Sequence, residues 1–233
     1  MAEIKICGIT NLEDASCAAD CGADAVGFNF YPRSPRYLLP ERAREIIEKI
    51  PDGITKVGVF VNDDPLKVRE TVDFCGLDLI QLHGDESPEY CRQFPASFLI
   101  RACSPRRESD LRKLSRYPVR AILVDAYDPT CYGGTGKRSD WRLAAMVKET
   151  HPLILAGGLN VNNIRRAIEI VAPHAVDINS GVERSPGRKD HGKVKAIIEL
   201  VRTLEGNKTT IFDVSGHVNL ISEGGDHAQN DTG

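Results

Sequence analysis

Two side chains in this sequence have the chemistry to move protons, and each closes a short apolar run. Cys7 ends EIKIC (3–7) and Asp125 ends RAILVD (120–125). A thiol and a carboxyl group that face one another can act as base and acid, each transferring one proton. A free thiol ionises near about pH 8.5, so a working thiolate needs a nearby cation or a helix N-terminus, and Lys5 or Arg36 would serve as the cation. The acid has the opposite need. It must keep its proton, which burial or a neighbouring anion such as Asp177 or a bound carboxylate favours.

Further polar residues stand at the ends of other apolar runs. Gln81 lies near the end of LDLIQL (77–82) and His83 directly follows it, and Asp177 lies in AVDIN (175–179). Gly157 and Gly158 of LAGGLN (155–160), with Ser180 and Gly181 of NSGVE (179–183), form two turns whose backbone N–H groups can approach an anion closely. YPRSPRY (31–37) carries two arginines beside prolines, and Arg36 held there can grip a planar carboxylate through paired hydrogen bonds.

Such scattered residues meet only if the chain folds in a particular way. The apolar runs are 3–7, 23–30, 55–61, 77–82, 97–103, 120–125, 152–157 and 175–179, and helical segments separate them. Helix starts are signalled by a capping-box spacing at Thr10 and Glu13, by Pro40, Asp64-Pro65 and Ser87-Pro88, and by Asp190. Eight strand–helix units with apolar strands predict an α/β fold, a single-domain (β/α)8 TIM barrel over residues 1–204. An open doubly wound sheet is the alternative arrangement. In the barrel, chemistry gathers at the carboxyl ends of the strands, and the loops after strands seven and eight commonly hold phosphate. Period-two alternation turns Lys5 and Cys7 to the barrel axis and Ile4 and Ile6 to the helices. All the residues above then share one mouth, and the expected ligand is a phosphorylated small molecule.

Residues 205–233 are rich in Gly, Asn and Asp and read as a short, flexible polar extension. A weak hairpin around Ser215-Gly216 is the other reading. YGGTGK (132–137) reads as a mobile loop beside Asp125, without the spacing of a nucleotide-binding phosphate loop.

A net charge of −3 with scattered Lys and Arg gives no basis for nucleic-acid binding, and no apolar run is long enough to cross a membrane. Seven dispersed cysteines suit reduced thiols, and the chain is read as soluble and cytoplasmic. His83, Asp85 and Glu86 lie together and Cys17 and Cys21 are one helical turn apart, yet neither group completes a zinc site. No metal and no cofactor is expected. A monomer and a homodimer fit the pattern equally.

KICGIT, GADAVGFNFYPRSPRY, VGVFVN, QLHGDE, LVDAYDPTCYGGTGK, LAGGLN and AVDINSGVE occur in this order between residue 3 and about 204. This series resembles the phosphoribosylanthranilate isomerases of tryptophan biosynthesis. The resemblance implies an Amadori rearrangement with Asp125 as general acid and Cys7 as general base. It also implies Arg36 on the anthranilate carboxylate, Asp177 near the amine, and Gly157, Gly158, Ser180 and Gly181 around the phosphate. Gln81 and His83 match the motif as substrate contacts or as structural hydrogen-bonding groups. Asn29 and Asn179 depart from the family pattern. Two other readings are a histidine-pathway or dual-substrate phosphoribosyl isomerase, disfavoured because that family carries aspartate where this chain has Cys7, and a non-catalytic phosphosugar-binding barrel.

Overall fold

The structure, a computed structural model, describes residues 1–127, 138–204 and 210–214. Eight parallel strands close into a barrel in sequence order. They are β1 (Glu3–Cys7), β2 (Ala25–Asn29), β3 (Thr55–Phe60), β4 (Leu79–Leu82), β5 (Leu99–Cys103), β6 (Ala121–Val124), β7 (Leu153–Leu155) and β8 (Ala175–Ile178). Each lies within one predicted run, shortened by up to two residues at an end. Between and after them run α1 (Leu12–Asp20), α2 (Pro40–Ile47), α3 (Pro65–Cys75), α4 (Pro88–Cys91), α5 (Glu108–Leu111), α6 (Trp141–Lys148), α7 (Ile164–Val171) and α8 (His191–Arg202). The helices after β4 and β5 shrink to four residues each. Pro95 and Pro118 follow closely in the chain, and proline cannot continue a helix.

Alternation builds two apolar layers from the same strands. Ile4, Ile6, Val26 and Phe28 face the helices, whereas Val57, Leu79, Ile100 and Leu123 fill the barrel interior. Most predicted helix starts are found: Pro40, Pro65 and Pro88 open their helices, and Asp64, Ser87 and Asp190 cap with their side chains. The Thr10–Glu13 capping box is not formed, and Asn11 is the N-cap instead. The Asn11 side chain accepts from Asp14 N–H at 2.9 Å, while the Thr10 hydroxyl donates instead to the Gly187 carbonyl. Asn11 is also a strong cap, and the neighbouring loop decides between the two.

Residues 210–214 depart from the expectation of a frayed tail. Ile211 and Phe212 are buried among interior residues that include Ala25, Ala121 and Ala175, the first residues of β2, β6 and β8. Three small side chains leave space at that end, and two large ones fill it. Glu3 accepts from Ile211 N–H and, at 3.1 Å, from Phe212 N–H, and Arg120 donates to the carbonyls of Ile211 and Asp213 at 2.6 Å each. Burying two side chains of this size contributes about 2–3 kcal/mol each. The suggested hairpin at Ser215-Gly216, the YGGTGK loop and the rest of 205–233 lie outside the described residues. No helix among the described residues is long and apolar enough to cross a membrane.

Candidate active site

Strand register builds the centre of the site. In the β1–β8 pair Lys5 stands opposite Asp177, and in the β1–β2 pair Cys7 stands opposite Gly27. Lys5 is fully buried, and its ammonium donates to Asp177 Oδ2 at 2.8 Å and to Gln81 Oε1 at 2.9 Å. Gly27 makes this crowding possible, since a Cβ there would lie 2.7 Å from Cys7 Sγ and 3.1 Å from Lys5 Cε.

From Gln81 the contacts continue to the second predicted proton carrier. Gln81 Nε2 lies 2.9 Å from His83 Nδ1, and His83 Nε2 lies 3.3 Å from Asp125 Oδ2. The other Asp125 oxygen, Oδ1, accepts from the Ala126 N–H at 2.7 Å. The turn that carries His83 is fixed from beneath. Buried Glu86 accepts from the N–H groups of Gly84 at 2.9 Å and Asn62 at 2.8 Å, and Arg101 donates to the carbonyls of Leu82 at 3.1 Å and Gly84 at 2.8 Å. Glu86 is therefore spent on the backbone. Among the described residues no three His, Cys, Asp or Glu side chains converge in a way that would hold a metal.

Arg36 approaches from the loop after β2. Its Nε and Nη2 donate to the two carboxylate oxygens of Glu183 at 2.9 and 2.7 Å, a fork that leaves Nη1 without a protein partner among the described residues. Lys189, fully buried, donates to the same carboxylate at 3.1 Å and to Asn179 Oδ1 at 3.1 Å. Burial alone would raise the Glu183 carboxyl, but Arg36 and Lys189 more than offset it and hold the group below its ordinary value. Asn179, a departure from the family pattern, thus has a defined partner. Asn29, the other, accepts from Tyr31 N–H at 2.9 Å.

Glu183 and Lys189 were not among the residues predicted from sequence. They lie on a short antiparallel pair, β9 (Glu183–Ser185) and β10 (Arg188–Lys189), which turns at Pro186-Gly187 just beyond β8. The available signal was a dense charged stretch, ERSPGRKD, directly after a strand-end motif.

The cations do not leave Cys7 as an easy thiolate. Burial pushes its thiol up, Asp177 adds to that, and the nearby Lys5 and Lys189 only partly reverse it, so the ionisation lies above the ordinary thiol range. Lys5 behaves differently. Burial would lower its ammonium, but Asp177 and Cys7 outweigh that and raise it. Asp177 Oδ1 is buried and accepts no hydrogen bond among the described residues. An unsatisfied carboxylate oxygen in a polar cavity is costly, and a ligand N–H would relieve it.

The two glycine turns meet. A Cβ on Gly181 would lie 1.8 Å from the Leu159 carbonyl oxygen, so only glycine allows the loop after β8 to touch the loop after β7. The side-chain amides of Asn160 and Asn163 hold the Gly158 carbonyl at 3.1 and 2.8 Å. Gly158, Ser180 and Gly181 remain partly exposed on this rim.

Residues 4–200 match the family model described as N-(5'phosphoribosyl)anthranilate (PRA) isomerase. The chain belongs to the phosphoribosylanthranilate isomerase family. A family relative from Syntrophus aciditrophicus, named N-(5'-phosphoribosyl)anthranilate isomerase, is 57% identical over 210 residues, covering 90% of this chain and 91% of the relative. The crystal structure of phosphoribosyl anthranilate isomerase from Thermotoga maritima superposes with a TM-score of 0.79 at 42% identity, covering 88% of this chain and 100% of that one. A solved isomerase structure in complex with reduced 1-(o-carboxyphenylamino)-1-deoxyribulose 5-phosphate is equally similar in sequence, at 42% identity, with a TM-score of 0.78 and the same coverage. The match to the family model runs from within β1 through both glycine turns and ends at residue 200, before residues 210–214.

Proposed function

We propose that this chain catalyses the Amadori rearrangement of N-(5-phosphoribosyl)anthranilate to 1-(o-carboxyphenylamino)-1-deoxyribulose 5-phosphate in tryptophan biosynthesis, with Asp125 as general acid and Cys7 as general base. Family membership supports the reaction. The residue roles are supported by one observation above the others: a single string of contacts, Cys7–Lys5–Gln81–His83–Asp125, joins the thiol and the carboxyl at the same end of the barrel.

Asp125 gives its proton to the ribose ring oxygen as the C1–O bond breaks, which leaves an open-chain protonated imine. The Cys7 thiolate then removes the proton from C2, and the electron pair forms the C1–C2 double bond and neutralises the imine nitrogen. Moving a proton from the C2 hydroxyl to C1 completes the ketone. Asp177 Oδ1 is the acceptor for the amine N–H, and Nη1 of Arg36 faces the anthranilate carboxylate. Gly157, Gly158, Ser180 and Gly181 hold the phosphate. The protein works in the cytoplasm on this small phosphorylated substrate, as a monomer or homodimer.

The test is a steady-state assay of the intact chain with freshly generated phosphoribosylanthranilate, followed by the loss of anthranilate-type fluorescence over a range of pH. Turnover is expected. Because the base must be ionised while the acid keeps its proton, and burial holds the Cys7 thiol above its ordinary range, kcat/KM should show a broad plateau that falls at both low and high pH. Absence of turnover would overturn the reaction. A profile with no fall on the alkaline side would count against a protonated carboxyl group as the acid.

Glu183 orients Arg36, so Glu183→Gln replaces one acceptor of the fork with a donor. The expected result is a KM raised about tenfold, equivalent to about 1.4 kcal/mol, with kcat little changed. An unaltered KM would detach Arg36 from substrate binding.

A further inference from the structure

The direction of every hydrogen bond between Lys5 and His83 is dictated by its neighbour. An ammonium group only donates, so the Gln81 atom that faces Lys5 Nζ at 2.9 Å has to be the amide oxygen. The amide nitrogen therefore faces His83, and since it too only donates, His83 Nδ1 must accept and carry no proton. In a neutral imidazole the proton is then on Nε2, the atom 3.3 Å from Asp125 Oδ2.

We propose that Gln81 and His83 are positioning residues: Lys5 sets the orientation of the Gln81 amide, Gln81 sets the tautomer of His83, and the resulting Nε2–H orients the Asp125 carboxyl group. The inference rests on the reading of Asp125 as the general acid. The tautomer matters because of where the acidic proton would otherwise go. A His83 ring with its proton on Nδ1 would turn a bare Nε2 lone pair toward Asp125 Oδ2, and the carboxyl proton would bond there instead of to substrate. With the proton on Nε2, an N–H and not a lone pair stands 3.3 Å from Oδ2, and Oδ1 accepts from Ala126 N–H. The proton of the acid is left on a position that neither neighbour uses. The fully buried Lys5 thus acts at two places, directly on Asp177 and, through the hydrogen bonds of Gln81 and the 3.3 Å contact of His83, on the opposite proton carrier.

The experiment is nitrogen NMR of the full chain labelled at histidine, with the His83 signals assigned by their loss in His83→Asn. The wild-type ring should carry its proton on Nε2. In Gln81→Glu the new carboxylate accepts from Lys5 and also from the imidazole, so the proton should appear on Nδ1. This variant should lose kcat on the order of 10- to 100-fold with KM within about threefold. Gln81→Met, which imposes neither direction, should give mixed tautomers and an intermediate loss, and it stands in if Gln81→Glu does not fold. An Nδ1–H ring in the wild type would overturn the proposal. So would a changed tautomer with unchanged kcat, or a lost kcat with an unchanged tautomer. Failure of the acid assignment is distinguishable, because Asp125→Asn would then stay active while the wild-type tautomer remained as described.

Discussion

Replacing Cys7 by serine lowers kcat by about a thousandfold, while KM moves by no more than about threefold. A hydroxyl fits the space that Gly27 leaves around the thiol, so the barrel and the substrate contacts remain. What changes is acidity. Burial has already pushed the thiol above its ordinary range, and Lys5 and Lys189 only partly compensate. An alcohol starts far less acidic than a thiol, and the same two cations cannot ionise it. Loss of one proton carrier costs roughly 10²–10⁴ in rate, and a thousandfold corresponds to about 4 kcal/mol of transition-state stabilisation. The measurement is steady-state kinetics with phosphoribosylanthranilate. Activity within tenfold of the parent protein would exclude the thiol from the rate-limiting proton transfer.

Asp125→Asn is expected to lose about as much, for a different step. Ring opening leaves an alkoxide unless the ring oxygen is protonated as the bond breaks, and an amide has no proton of suitable acidity to give. The substitution keeps the shape. The amide oxygen can still accept the Ala126 N–H that now bonds to Oδ1, although the amide nitrogen then faces the Nε2 edge of His83. A direct check separates lost chemistry from lost structure: the variant should bind reduced 1-(o-carboxyphenylamino)-1-deoxyribulose 5-phosphate, the ligand of the solved family structure, within about threefold of the parent. Loss of that binding together with kcat would mean that Asp125 holds the site open and does not act as the acid.

The strands were legible because burial on both faces demands apolar runs, and LVDA or LILAG can hardly be anything else between polar helices. Period two was enough to turn Lys5 and Cys7 inward. The partners of those residues were much less visible. That Lys5 meets Asp177 follows from register between the first and last strands, and no local pattern encodes a pairing over that separation. Gly27 looked like any strand glycine, since its purpose, space for the Cys7 sulfur, exists only once β2 lies beside β1. Glu183 and Lys189 are buried as a pair, whereas charged residues in a Ser-Pro-Gly turn ordinarily face solvent. The packing of residues 210–214 was not legible, because a short apolar patch in a polar tail has too little periodicity to reveal a tertiary partner. The Thr10 cap failed through ambiguity, with two good capping residues side by side.

Glu3 and Phe212 are joined across 209 positions of sequence, so β1 is completed by residues that come after the last helix. On the ribosome, β1 emerges first, but its lower edge acquires this partner only after α8 has been made. Until then Ala25, Ala121 and Ala175 surround an open apolar floor. A message that stops after the last helix encodes all eight strands and every proposed proton carrier, yet it releases a barrel without its base. The few residues that follow supply the two large side chains, Ile211 and Phe212, that close this floor.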